Sequence, residues 1–216
     1  QRSMISARDI ALISCELLRH PKILEYTGIW MDSIRGGKFS LANTNKMLKS
    51  YPGLTGLKTG YISEAGFCIS ASAERDGLSL VAVVMAAPTK ETRLADASAL
   101  LNYGFANFTV YTPPDDLLQP VPVQLGSADF VQPVLQNDQS IVVEKEKAAQ
   151  LETQLDLPDT LQAPIAAGQQ IGQLTVSSGG EALLQLPITA AEDVEARSVP
   201  GLLLEFLGKL VGGGTA

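Results

Sequence analysis

The chain has 216 residues, 45% of them hydrophobic, which suffices for one large domain or two smaller ones with a buried core. Its formal net charge is −7 and its basic residues form no run, so nucleic acid and other polyanions are not expected partners. The single histidine and the distant pair Cys15 and Cys68 lack zinc-ligand spacing, so no metal site is expected. We expect both thiols to be buried and unreactive, and a disulfide between them remains an alternative.

The first predicted element is a helix that follows Ser6, a residue type that caps helix amino termini. Its apolar residues recur at helical spacing and end before Pro21; they are Ile10, Ile13, Leu17 and Leu18. Pro21 and Gly28 then delimit a short second helix. Residues 1–5 do not have the pattern of a signal peptide. A helix this close to the first residue is expected to need an upstream partner segment.

A glycine-rich turn at residues 35–38 precedes three predicted strands, at 54–61, 67–74 and 78–86. Asp76-Gly77 lies between the last two strands and predicts a tight hairpin, so neighbouring strands should be antiparallel. Residues 91–107 then predict a helix that packs on this sheet. Its apolar residues are Leu94, Leu100, Leu101 and Phe105.

Turn-forming residues at 111–116 predict a domain boundary, with a first domain at 1–110 and a second at 111–197. The second region contains short strand-like segments separated by Pro, Gly and Asp, which is typical of a small β-sandwich; they lie at 121–125, 140–143, 170–176 and 182–188. Residues 177–180 predict a hairpin loop between the last two. No cluster of titratable residues indicates a site in this domain.

The tail at 198–216 includes about a dozen mostly apolar residues, fewer than the roughly 20 that a membrane-spanning helix needs. As a helix, it would carry Glu205 and Lys209 on one narrow side and leucines elsewhere, which favours an amphipathic segment lying in a membrane surface. A terminal helix packed on its own domain is the alternative.

The segment with the clearest chemical pattern is Gly56-Leu-Lys58-Thr59-Gly60-Tyr61. A phosphate-binding P-loop is excluded, because Leu57 separates Gly56 from Lys58 and the surrounding pattern is that of a strand. The Lys-Thr-Gly tripeptide instead matches an element of penicillin-binding proteins and class A β-lactamases. Its cation and hydroxyl suit a peptide carboxylate, and Gly60 permits close approach of a substrate. An ordinary solvated lysine at the end of a strand is the alternative interpretation.

A wider set of segments carries the same resemblance. They are Ser6-Ala-Arg-Asp-Ile-Ala-Leu, Ala42-Asn-Thr-Asn45, Tyr51-Pro-Gly-Leu-Thr-Gly-Leu-Lys-Thr-Gly-Tyr61, Glu64-Ala-Gly-Phe67, Ser70-Ala-Ser-Ala73, Val81-Ala-Val-Val-Met85 and Leu101-Asn-Tyr-Gly-Phe105. Together they resemble low-molecular-mass D-alanyl-D-alanine carboxypeptidases over residues 1–108. The resemblance implies an α+β fold: the carboxyl-terminal part of a transpeptidase-like domain, of the penicillin-binding and serine β-lactamase type, followed by the small β-sandwich and the anchor segment.

By this resemblance, Lys58, Thr59 and Gly60 are the catalytic Lys-Thr-Gly element, and Lys58 and Thr59 also bind substrate. Tyr61 contributes an oxyanion-hole N–H, and Arg93 binds the substrate carboxylate through its forked guanidinium. A surface arginine at a helix start is the alternative for Arg93. No metal or organic cofactor is implied.

The sequence contains no Ser-x-x-Lys and no Ser-x-Asn element. In the family both precede the matched region, so we expect a missing amino-terminal segment to supply the nucleophile and this chain alone to be inactive. The implied enzyme removes the terminal D-Ala from peptidoglycan stem peptides, is acylated by β-lactams, and lies outside the cytoplasmic membrane. A catalytically silent cell-wall binding protein is the alternative. A β-lactamase is disfavoured by the extra β-rich domain and the anchor.

Overall fold

The computed structural model of the protein describes residues 4–135 and 140–198. The chain divides into two compact units, Gln1–Val110 and Tyr111–Ala216. The predicted α+β class is confirmed: antiparallel sheets with helices form the first unit, and the second is rich in β-strands.

The first unit contains four helices and five strands in the part that the structure describes, and a sixth strand extends across the boundary to the second unit. They are α1 (Ala7–Leu18), α2 (Lys22–Thr27), β1 (Met31–Ile34), β2 (Phe39–Ala42), α3 (Met47–Ser50), β3 (Leu54–Ile62), β4 (Gly66–Arg75), β5 (Leu78–Ala87), α4 (Lys90–Asn107) and β6 (Phe108–Tyr111). The three predicted strands and three predicted helices are present within a few residues of their expected bounds.

A three-stranded antiparallel sheet in the order β3-β4-β5 is the centre of this unit. Asp76 and Gly77 join β4 to β5 with φ angles of 49° and 75°, the left-handed values that a tight hairpin requires. Helix α4 packs on the sheet through Ala97, Leu101 and Gly104. A Cβ on Gly104 would lie 2.5 Å from a methyl group of Leu80, so the helix approaches the sheet closely because this residue is glycine.

Helix α1 begins with a capping box, in which the Ser6 hydroxyl accepts a hydrogen bond from the Asp9 amide at 3.1 Å and the Asp9 carboxylate accepts one from the Ser6 amide at 3.0 Å. Ser14 is the buried residue of this helix, and its hydroxyl is 2.7 Å from that of Ser70 on β4. Leu12 and Ile13 are 61% and 60% exposed. The apolar pattern of α1 therefore predicts the helix correctly but leaves much of its apolar surface uncovered within the described residues.

Two expectations for this unit are wrong, whereas the glycine-rich turn expected at 35–38 is present. Leu100 is 51% exposed, because the face of α4 that meets the sheet runs through its neighbour Leu101. Cys15 is exposed rather than buried, Cys68 is half-buried, and both thiols are free. The turn at 35–38 joins two strands, β1 and β2, that the sequence did not predict because their residues are exposed on both faces.

The second unit is built from short strands over the described residues. They are β7 (Val121–Gln124), β8 (Phe130–Val131), β9 (Pro133–Leu135), β10 (Ile141–Glu144), β11 (Leu151–Asp156), β12 (Leu161–Gln162), β13 (Gln170–Ser178) and β14 (Glu181–Ala190), with a 3₁₀ turn at Asp115–Leu117 and a helical turn α5 (Lys145–Ala148). One sheet has the order β11-β13-β14-β9 and another the order β12-β7-β8. Residues from both sheets share one apolar core that includes Val131, Leu174 and Ile188.

The predicted loop at 177–180 is shorter than expected. Ser177 and Ser178 continue β13, and only Gly179 and Gly180 form the turn. Sequence patterns also missed β8, β9, β11 and β12. The predicted anchor at 198–216 lies, except for Ser198, outside the described residues. Among the residues described, no helix has the length and apolarity needed to span a membrane.

Candidate functional site

Strand β3 carries the Lys-Thr-Gly element at an edge of the central sheet, because only β4 pairs with it in that sheet. Lys58 pairs in register with Ser70, and Gly60 pairs with Cys68. Lys58 and Gly60 are exposed, whereas Thr59 between them is only 7% exposed. This alternation follows from the two-residue period of a strand and presents consecutive residues to different surroundings.

A concave cleft of about 360 Å³ lies beside this part of β3. It is lined by Thr44, Lys46, Lys58, Thr59, Gly60, Tyr61, Phe67, Lys90 and Arg93. The structure thus brings together all five residues that the sequence singled out, including Arg93, which is separated from Lys58 by 35 positions in the numbering. Their individual roles remain predictions from the family resemblance.

Arg93 lies in the first turn of α4 and is only 5% exposed, so it is not a surface arginine. Its Nη1 donates a hydrogen bond to the Cys68 carbonyl oxygen at 3.3 Å, and its guanidinium carbon lies 5.9 Å from the centroid of the Phe67 ring. Its Nε is buried and has no hydrogen-bond partner among the described residues. A buried polar group without a partner is costly. The guanidinium thus lines the cleft while one of its donors has no partner on the protein.

Burial lowers the pKa of the Arg93 guanidinium from its ordinary value, and the nearby Cys68 and Glu91 act in the opposite direction. The ordinary pKa of an arginine is so high that the guanidinium stays protonated at neutral pH even when burial lowers its pKa. The cleft therefore contains a permanently charged, forked donor held against the sheet.

Thr59 and Lys58 each have a defined contact on the protein. The Thr59 hydroxyl lies 2.6 Å from the Thr44 hydroxyl, and either oxygen can donate. The Lys58 ammonium donates to the backbone carbonyl oxygen of Thr59. The Thr59 hydroxyl and the Lys58 ammonium are therefore both fixed by contacts next to Thr59 on β3.

Tyr61 and Phe67 form a stacked aromatic pair in the lining of the cleft. They are register partners on β3 and β4, with ring centroids 4.3 Å apart and planes inclined by 29°. Aromatic cross-strand pairs of this kind stabilise a sheet locally. Tyr61 remains 59% exposed, so an apolar surface is available beside the polar groups.

The lining of the cleft has a strongly positive character, although the chain as a whole is acidic. Four of its nine residues are basic and none is acidic; the basic ones are Lys46, Lys58, Lys90 and Arg93. Within residues 4–135 and 140–198, none of the four forms an ion pair. An anionic ligand would therefore find uncompensated positive charge here.

Sequence reasoning missed Thr44, Lys46, Phe67 and Lys90 as lining residues. Thr44 and Phe67 belong to segments that carry the family resemblance, but nothing in the local pattern places them beside β3. In the part of the chain that the structure describes, no group of three or more His, Cys, Asp or Glu side chains is arranged to hold a metal ion.

Comparison with known proteins gives two family matches. Residues 1–89 match the family model of D-alanyl-D-alanine carboxypeptidase, and residues 105–196 match that of the penicillin-binding protein 5 C-terminal domain. The chain is 33% identical over 196 residues to D-alanyl-D-alanine carboxypeptidase DacF of Bacillus subtilis, covering 88% of this chain and 50% of the relative. It is 30% identical over 208 residues to DacA of Haemophilus influenzae, covering 94% and 52%.

Among solved structures, penicillin-binding protein 5 from Haemophilus influenzae superimposes with a TM-score of 0.68 and 28% identity, covering 88% of this chain and 56% of that one. The chain spans about half the length of the curated relatives it matches. Both the predicted family and its two-part architecture are thereby confirmed.

Proposed function

Because the chain belongs to the low-molecular-mass D-alanyl-D-alanine carboxypeptidase family of penicillin-binding proteins, of which it matches the carboxyl-terminal portion, we propose that it forms part of a serine carboxypeptidase. Its substrate is a peptidoglycan stem peptide that ends in D-Ala-D-Ala. The reaction releases the terminal D-Ala.

The observation that carries the proposal is the buried Arg93, with its unpartnered Nε, in the same cleft as Thr59 and Lys58. A carboxylate accepts hydrogen bonds from a guanidinium in a fork, and charge-assisted bonds of this kind are strong in a site with little water. The terminal carboxylate of the peptide would pair with the positive charge of this guanidinium. Beside Gly60, β3 pairs with no other described strand than β4, so this edge can offer backbone groups to an extended peptide.

The chemical step we propose is acyl transfer to a serine supplied by a Ser-x-x-Lys segment outside this sequence. The serine oxygen attacks the carbonyl carbon between the two D-Ala residues, and the Tyr61 N–H stabilises the developing oxyanion. The C–N bond then breaks, the amine takes the proton that the serine hydroxyl gives up, and D-Ala leaves. Water hydrolyses the resulting ester and restores the serine. Lys58 contributes positive charge close to the reacting groups.

Two observations support an amino-terminal segment as the partner of the first unit. Apolar residues of α1 such as Leu12 and Ile13 are largely exposed, and exposed apolar surface of this kind is usually covered by another element. The matched relatives are about twice as long as this chain. Without that segment, the chain is expected to be inactive.

The proposed location is the outer face of the cytoplasmic membrane, where peptidoglycan lies. The composition of the segment at 198–216 supports it, since an amphipathic helix there would rest on the lipid surface. β-Lactams are proposed to acylate the same serine.

The basic cleft also fits a second candidate, which binds the peptide without cleaving it. A cell-wall protein that keeps the carboxylate-binding strand but has no nucleophile would bind D-Ala-D-Ala without cleaving it.

A fluorescent penicillin separates the two candidates. The complete gene product and this chain alone are incubated with the label and examined on a denaturing gel, with circular dichroism to establish that both are folded. We expect a covalent band from the complete product only, together with release of D-Ala from a pentapeptide. A folded complete product that takes no label and releases no D-Ala would contradict the enzyme and favour the silent binding protein.

A further inference from the structure

The segment Asn43-Thr44-Asn45, which follows β2, carries part of the family resemblance but has no role in the mechanism above. It is held in place by several hydrogen bonds. The Asn43 amide nitrogen Nδ2 donates to the Ile29 carbonyl at 3.0 Å, and the Asn43 backbone N–H donates to the Trp30 carbonyl at 2.8 Å. The two asparagine side chains also accept bonds from the segment itself, Asn43 from the Asn45 amide and Asn45 from the Met47 amide. These hydrogen bonds therefore fix the position of the backbone at Thr44.

The Thr44 side chain lines the cleft and contacts Thr59. Its hydroxyl lies 2.6 Å from that of Thr59, and both residues line the cleft. Thr44 is the hydrogen-bond partner of the Thr59 hydroxyl among the residues that the structure describes. Thr59 is almost completely buried, whereas Thr44 is exposed, so this part-buried contact lies where the cleft meets the protein interior.

We infer that Thr44 is a positioning residue that orients the Thr59 hydroxyl toward the substrate carboxylate; this inference rests on the proposed function. A threonine hydroxyl has one proton to donate and two lone pairs to accept with. When Thr59 donates its proton to a carboxylate, it can no longer donate to Thr44. The Thr44 hydroxyl must then donate to Thr59.

The bound state therefore contains a chain of two hydrogen bonds, from Thr44 to Thr59 and from Thr59 to the carboxylate. Bonds in such a chain polarise each other, and the bond to an anion gains from it. Without a ligand, either hydroxyl can donate to the other. Ligand binding thus selects the arrangement in which Thr44 donates to Thr59 and Thr59 donates to the carboxylate. The hydrogen bonds that fix residues 43–45 keep the Thr44 oxygen within reach of Thr59.

The test is a double-mutant cycle in the complete gene product, with the rate constant of acylation by fluorescent penicillin and KM for a pentapeptide as readouts. Thr44→Val keeps the shape but removes the hydroxyl, and a hydrogen bond of this kind corresponds to about a three- to tenfold loss of acylation rate. Thr44→Ser restores the hydroxyl and should stay within about twofold of the original protein. The double variant Thr44→Val, Thr59→Val should be no slower than Thr59→Val alone.

Thr55→Val is the matched control. Thr55 also lies on β3 and its hydroxyl also pairs with another hydroxyl, that of Ser72 at 2.7 Å, but it does not line this cleft. It should leave acylation unchanged. Thermal unfolding establishes that each variant is folded, and Thr44→Ala replaces Thr44→Val in the cycle if the valine variant is not.

The results also separate this inference from the proposed function. If Thr59→Val slows acylation while Thr44→Val does not, or if the losses of the two variants multiply in the double variant, the role of Thr44 is refuted and the carboxypeptidase remains. If neither Thr59→Val nor removal of the Lys58 ammonium slows acylation, the proposed function itself is refuted.

Discussion

The two units of the chain bury different kinds of side chain. Among the described residues, the buried polar or charged side chains of the first unit are Ser14, Asn45, Thr59, Ser70, Ser72 and Arg93, whereas the second unit buries only Thr189. The apolar core of the second unit is also larger, with thirteen buried residues in its main cluster against eight in the first. Buried polar groups cost stability unless they are paired, so a protein keeps them mainly where they bind or react. Two of the six residues in the first unit, Thr59 and Arg93, line the cleft, which agrees with the proposal that this unit recognises the substrate.

The largest expected effect tests the proposed role of the first unit in substrate recognition. In the complete gene product, Lys58→Ala should slow acylation by fluorescent penicillin roughly 10²- to 10³-fold, the loss typical of removing one electrostatic stabiliser of the transition state. Because Lys58 is exposed, Tm should hardly change. Lys22 is an exposed lysine of α2, and Lys22→Ala is the control for loss of charge alone. A loss of less than threefold for Lys58→Ala would remove this lysine from the catalytic group.

The second unit should respond in the opposite way. Leu174 is fully buried in its core, so Leu174→Ala should lower the free energy of unfolding by about 2–5 kcal/mol, because it removes apolar contacts and leaves a cavity. Acylation per folded molecule should stay the same. Denaturant unfolding and the fluorescent-penicillin assay measure the two quantities.

The chain offers a close control for this substitution. Leu155 lies directly opposite Leu174 across β11 and β13 but is 38% exposed. Leu155→Ala should therefore destabilise the protein distinctly less. Equal losses for the two variants, or slower acylation with Leu174→Ala under conditions where it is folded, would contradict the division of roles.

Arg93→Ala should discriminate between substrates. Loss of a charge-assisted hydrogen bond to a carboxylate corresponds to about a 10- to 100-fold lower kcat/KM for the pentapeptide. A β-lactam should lose less, because its strained ring makes its acylation less dependent on precise placement of the carboxylate. Stopped-flow measurement of acylation gives the loss for the β-lactam, and the rate of D-Ala release gives the loss for the pentapeptide. An unchanged kcat/KM for the pentapeptide would exclude Arg93 from carboxylate recognition.

How well the sequence predicted the structure depends on the range of the interactions involved. The hairpin at Asp76-Gly77 and the cap at Ser6 were predictable because their geometry is set within a few residues. Strands β1 and β2 were not, because their exposed residues show no alternation of burial. The periodicity of α4 placed the helix but not the face that meets the sheet, so the packing expected for Leu100 was wrong.

The same distinction applies to the site. Lys58, Thr59 and Gly60 are contiguous and match a known motif, so the sequence alone indicated them. The contact between Thr44 and Thr59 joins residues 15 positions apart through a turn whose path depends on the asparagine hydrogen bonds. The burial of Arg93 depends on how α4 packs on the sheet. The sequence around an arginine at the start of a helix does not indicate whether that arginine is buried.

The smallest expected effect concerns the capping box of α1, which belongs to the first unit but lies outside the cleft. Hydrogen bonds from the Ser6 side chain and backbone lower the pKa of the Asp9 carboxyl below its usual value of 3.8. A carboxyl whose pKa is lowered by folding stabilises the protein above its unfolded-state pKa, and this contribution is lost as the pH falls through the folded-state pKa. Asp9→Asn should therefore lower Tm slightly at neutral pH, and the difference from the original protein should shrink below about pH 4. Acylation should be unaffected. A Tm difference that stays constant down to about pH 2 would show that the Asp9 charge does not stabilise α1, and slower acylation would extend the recognition surface of the first unit beyond the cleft.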